Sequence, residues 1–118
     1  MRMNDIPSSV DSGAKYRERR AVPRYSFIAT VEIVDPASGV RLSGRVSELS
    51  RKGCYVDILN TLPKDTPINL RISRDRGAFA SPAKIIYVQE GMGMGVAFID
   101  SPADQAKILD SWLAELAA

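Results

Sequence analysis

The chain has 118 residues, 45% of them hydrophobic and 25% charged, which is the composition of one ordinary globular domain and excludes collagen-like, coiled-coil and disordered chains. It has no histidine and a single cysteine, Cys54, so triads with a His base, Cys–His pairs, His-ligated metals and multi-cysteine clusters are excluded. The formal charge is +2, yet residues 1–24 carry six basic and three acidic groups and residues 25–118 carry ten and eleven, so the basicity sits in an N-terminal arm that suggests an anionic partner.

The lone thiol fits a small buried hydrophobe in a reducing compartment, and no apolar run reaches the roughly 18 residues of a membrane span or the centre of a secretory signal. A cytoplasmic protein without membrane insertion is expected. Residues 1–15 are rich in Ser, Asp, Gly and Pro and show no periodicity, which predicts a mobile tail ahead of one domain over 16–118.

From Tyr25 the pattern becomes strand-like: Phe27, Ala29, Val31 and Ile33 fall on one side of a period-two repeat and predict a first strand. Asp35 to Gly39 is a turn by composition, and Val40 to Leu49 resumes as a second strand. Ser50-Arg51-Lys52-Gly53 interrupts it with a glycine where the chain must reverse, and Cys54 to Leu59 reads as a third. Ile68, Leu70 and Ile72 mark a fourth strand, Ala83 to Val88 a fifth and Gly95 to Ile99 a sixth. Six short strands at this spacing suggest a small antiparallel barrel or sandwich, and the barrel is the reading adopted: mainly β, six-stranded. A helix closes the chain, with Ser101 as N-cap, Pro102 at its first position and Asp104 in its first turn. Ala106, Leu109, Leu113 and Leu116 form its apolar stripe, widened by Ile108 and Trp112; such a face predicts a cap on one end of the barrel.

Two constellations carry chemistry. In the first, Arg19 precedes Arg20-Ala21-Val22-Pro23-Arg24. Pro23 keeps this segment extended, so Arg20 and Arg24 can stand up to about 14 Å apart and grip two ends of one ligand. A guanidinium's planar fork of donors matches a phosphate and equally the O6/N7 edge of guanine. In the second, Glu48 and Ser50 lie two apart at a strand end and share one side, while Gly53 permits close backbone approach. A carboxylate there can accept from the N1 and N2 donors of guanine, and a hydroxyl can serve base or phosphate. Each taken alone is also met by the plainer reading of solvated surface arginines and an unoccupied hairpin turn.

Together the two segments resemble the signature motifs of the PilZ domain, the bacterial receptor module for cyclic di-GMP. The family's RxxxR is met by Arg20 to Arg24, and its (D/N)xSxxG falls on Glu48 to Gly53 with Ser50 and Gly53 in place. Glu48 departs from the family's Asp or Asn, keeping the charge on an arm one methylene longer. The likeness extends over Tyr16 to Ala118, including the Gly95-Val96-Ala97-Phe98 strand and the terminal helix. The resemblance implies a non-enzymatic, cofactor-free module with Arg19, Arg20, Arg24, Glu48, Ser50 and Gly53 as ligand contacts. An arginine directly before RxxxR, here Arg19, accompanies binding of a stacked pair of ligand molecules in such proteins. Ordering of the arm over the barrel would then signal to a downstream protein.

The rival reading is a PilZ-like protein-interaction module that does not use the nucleotide. Nucleic-acid binding is disfavoured by the slightly acidic body. Gly91 to Gly95 reads as a flexible hairpin leading into a strand and not as a nucleotide loop, since no helix with a Lys-Ser/Thr follows. Arg71, Arg74 and Arg76 read as a solvated face, and Tyr55, Tyr87 and Trp112 as core or helix-packing aromatics. No spacing among the 14 carboxylates supports a hydrolytic pair.

Overall fold

The computed structural model describes residues 22–118; the expected tail over 1–15, together with Arg19 and Arg20, lies outside the described residues. Six strands form a closed antiparallel barrel, and one helix follows. They are β1 (Arg24–Val34), β2 (Arg41–Ser50), β3 (Gly53–Asp57), β4 (Pro67–Arg74), β5 (Gly77–Gln89), β6 (Gly93–Phe98) and α1 (Ala103–Ala117). Around the barrel the order is β1-β2-β3-β6-β5-β4, and β1 closes it by pairing with β4 from Thr30 opposite Ser73 to Val34 opposite Asn69.

The alternation read in the sequence is what fills the interior. Phe27, Ala29, Val31 and Ile33 of β1 and Ile68, Leu70 and Ile72 of β4 are all buried, as are Val46, Leu49, Val56, Phe79, Ile85, Met94 and Val96. Each fully buried aliphatic or aromatic side chain of this kind contributes roughly 1.5–3 kcal/mol relative to exposure. At the β1–β2 turn Asp35 accepts from the N–H of Ala37 and the hydroxyl of Ser38, and Gly39 takes the left-handed φ of 78° that the turn needs.

Three elements differ from expectation. β3 ends at Asp57, leaving Leu59 77% exposed in the connection to β4. β5 is twice as long as the segment expected, because its first half, Gly77 to Pro82, pairs with β4 and its second half with β6. β6 begins at Gly93, inside the stretch read as a hairpin, and its Met94 is fully buried.

The helix covers what the sheet leaves open. β6 reaches only as far as Phe98 opposite Ala83, so the first half of β5 has one unpaired edge, where the Gln105 side chain accepts from the N–H of Ala80 at 2.7 Å. Pro82 is tolerated there because its carbonyl still accepts from Ile99 N–H and no ladder requires its missing donor. Leu109 and Trp112 enter the core, with Trp112 at 5.4 Å from the Phe27 ring. The helix is capped by Pro102 without a side-chain hydrogen bond, not by Ser101. The Ser101 hydroxyl is instead hydrogen-bonded to that of buried Ser81 on β5, at 2.8 Å. No helix among the described residues is long and apolar enough to cross a membrane.

Candidate functional site

Arg24 is the first residue of β1 and Ser50 the last of β2, and the register sets them opposite each other, with Ser26 opposite Glu48. Leu49 points into the core, which by the period of a strand turns Glu48 and Ser50 away from the interior, but Ser50 is itself buried at 8% exposure. Arg24 and Glu48 meet on the outer side: Nη1 lies 3.5 Å from Oε1, with both side chains more than two fifths exposed. A pair this exposed contributes at most about 1 kcal/mol to stability. Its consequence is positional, because it holds a guanidinium over the end of the β1–β2 ladder.

Ser50 and Gly53 build the turn below. The Ser50 hydroxyl accepts from the N–H groups of Lys52 and Gly53 and donates to the Gly53 carbonyl, each at 3.2 Å. Its hydrogen-bonding capacity is thereby used within the turn. Gly53 does not have the positive φ that a glycine-driven reversal would show. A β-carbon there would collide with the backbone carbonyl of Val96 on β6, so glycine is required by the close approach of β3 to β6. The exposed side chains of Arg51 and Lys52 project from this turn, adding two positive charges beside Arg24.

Three further residues stand elsewhere than the sequence suggested. Arg71 and Arg76 are exposed as expected, but Arg74 folds its guanidinium over Phe27, 4.7 Å from the ring centroid, and its Nη1 is buried without a partner among the described residues. Trp112 packs from the helix as read. Tyr55 and Tyr87 do not belong to the core: Tyr55 is half-buried and Tyr87 is 43% exposed, both on the outer face. The alternation of Cys54 and Val56 inward with Tyr55 and Asp57 outward was the available signal. Tyr55 lies directly across from Glu48, so the outer face beside the turn is aromatic.

Burial pushes the Cys54 thiol up to about 12, and burial, then Tyr87 and Asp57, raises that of the Tyr55 hydroxyl. Neither group is primed for proton transfer near neutrality. No cluster of three or more metal-ligating side chains occurs among the described residues. Among the described residues, this end of the barrel presents an arginine–carboxylate pair, a hydroxyl-clamped turn and two exposed cations, an arrangement whose net positive charge can attract an anion.

A profile of the PilZ domain matches residues 18–115. The chain therefore belongs to the PilZ domain family. No curated protein sequence matches significantly. Among solved structures, it is similar to the PilZ domain of CeSA from a cellulose-synthesizing bacterium, at 24% identity and a TM-score of 0.62 over 80% of this chain and 98% of that one. The PilZ domain of YcgR from Escherichia coli, solved with c-di-GMP, gives 16% identity and a TM-score of 0.70 over 84% and 92%. The inhibitor of motility MotI/DgrA from Bacillus subtilis gives 14% and 0.69 over 82% of this chain and 50% of that one.

Proposed function

We propose that this domain is a receptor for cyclic di-GMP that binds without catalysing a reaction. The observation that carries the reading is Arg24, paired with Glu48 beside the Ser50–Gly53 turn in a chain of the PilZ family. Arg20 and Arg24 clamp the phosphates and the Hoogsteen edges of guanine. Glu48 orients Arg24 and exchanges that contact for guanine donors. Ser50 and Gly53 act through the turn: the hydroxyl fixes its shape, and the small glycine lets β3 close against β6 beneath the ligand face. Arg19 stacks on a second ligand molecule, giving two per chain. Docking of the arm across the barrel then changes the charge and shape of that face, which a downstream protein reads in the cytoplasm.

Glu48 in place of Asp or Asn, its carboxylate already engaged by Arg24, favours the rival module that docks a protein and ignores the nucleotide. Calorimetric titration with cyclic di-GMP beside GMP and cyclic di-AMP separates the two. The receptor reading expects binding of cyclic di-GMP alone, at two per chain. Arg24→Ala should weaken it about ten- to a hundredfold, the loss of a charge-assisted contact of about 1.5–3 kcal/mol. Unchanged binding by that variant overturns the role of Arg24, and a one-to-one complex overturns that of Arg19.

A further inference from the structure

Tyr55 on β3 and Tyr87 on β5 flank Gly95 of β6, which is paired with both. Their ring centroids are 6.1 Å apart and their planes are tilted by 32°. A β-carbon on Gly95 would run into the Cε2, Cζ and Cδ2 atoms of Tyr87, and one on Gly93 would meet Cε2 and Oη of Tyr55 at 2.8 Å. The rings thus lie down over positions where the sheet has no side chain. The Tyr55 hydroxyl donates to Gln89 Oε1, which fixes the orientation of its ring. Neither tyrosine belongs to the hydrophobic core; covering the glycines uses one side of each ring, and Tyr87 remains 43% exposed.

The surface is continuous with the arginine site. Tyr55 is the cross-strand neighbour of Glu48, whose carboxylate holds Arg24. At about 4.8 Å per strand, Tyr87 lies three strand steps, roughly 14 Å, from Glu48. A ligand with one base at Glu48 has room to lay a further ring along this line. Aromatic faces accept any nucleobase by stacking, and a flat ring over glycine presents one at little entropic cost. Burial, then Tyr87 and Asp57, raises the pKa of the Tyr55 hydroxyl, so this ring adds no charge to the surface.

We infer that Tyr55 and Tyr87 form a stacking shelf for a purine base of the bound dinucleotide, extending the site from β2 across β3 to β5. The inference rests on the receptor reading above. Its test is titration of the wild type, Tyr87→Ala and Tyr87→Phe with cyclic di-GMP, with the tyrosine ring-proton resonances followed by NMR. The shelf predicts upfield ring shifts on binding, an affinity loss of about five- to a hundredfold in Tyr87→Ala, and in Tyr87→Phe, which keeps the ring over Gly95, retention within about twofold with a melting temperature close to that of the wild type. A wild type that binds while its ring resonances stay put and Tyr87→Ala binds equally well overturns the shelf and leaves Arg24 its role. A wild type that does not bind cyclic di-GMP overturns both.

Discussion

At Ser50 the sequence motif and its physical meaning come apart. The residue is recognised by its position in Glu48 to Gly53, but only its hydrogen bonds to Lys52 N–H, Gly53 N–H and the Gly53 carbonyl show that it holds the turn. Ser50→Ala leaves these backbone groups without their partner and should cost about 1–3 kcal/mol in urea unfolding; a midpoint equal to that of the wild type would show that the turn holds itself. Gly53 was likewise legible as a residue and not as a reason, since the contact that demands it comes from Val96, 43 positions away. Cys54 was read correctly as a buried hydrophobe, and burial makes it a pH-sensitive one. Its thiol is raised from 9.0 to about 12, so below pH 9 both folded and unfolded chains keep the proton and the group adds no pH dependence. Between about 9 and 12 the unfolded chain releases it first, and stability falls as pH rises. Urea midpoints between pH 8 and 10.5 should fall more steeply for the wild type than for Cys54→Ala; parallel slopes would contradict the assignment.

Among the elements, β1 and β4 were readable because large apolar side chains alternate without interruption in Phe27 to Ile33 and Ile68 to Ile72. β5 was half missed: in Gly77 to Pro82 only Phe79 and Ser81 turn fully inward, and Ala, Ser and Pro hide a strand whose partner is a helix on one side. The start of β6 was missed for a related reason. Gly93 and Gly95 suggested flexibility, whereas both are covered by tyrosine rings from neighbouring strands, a tertiary contact that local pattern does not contain. The terminal helix was legible from its stripe, but its cap was not, because Ser101 is engaged by Ser81, 20 residues earlier. Trp112 joins this helix to Phe27 at the start of the barrel, next to Arg74. Trp112→Ala should therefore cost about 3–5 kcal/mol in urea unfolding; a loss below about 1 kcal/mol would show that the helix is only loosely attached.

Across the whole molecule, the net charge of +2 conceals a division of charge between a basic N-terminal segment and a nearly neutral remainder. The barrel's closure, with the helix covering the edge left along the first half of β5, removes the sheet edges that a six-stranded open sheet would expose to other chains. It also fixes Arg24, Glu48 and the Ser50–Gly53 turn on one rigid face. That division was visible in the sequence, as were the motif residues; the ion pair, the reason for the glycines and the aromatic outer face required the fold. The central claim is that this face receives a cyclic dinucleotide, and backbone amide NMR of the full chain during titration with cyclic di-GMP tests it most directly. Saturable shifts confined to the arm, Arg24 to Ser26, Glu48 to Gly53 and the strands bearing Tyr55 and Tyr87 are predicted. Amide positions that stay unchanged at saturating nucleotide would contradict it.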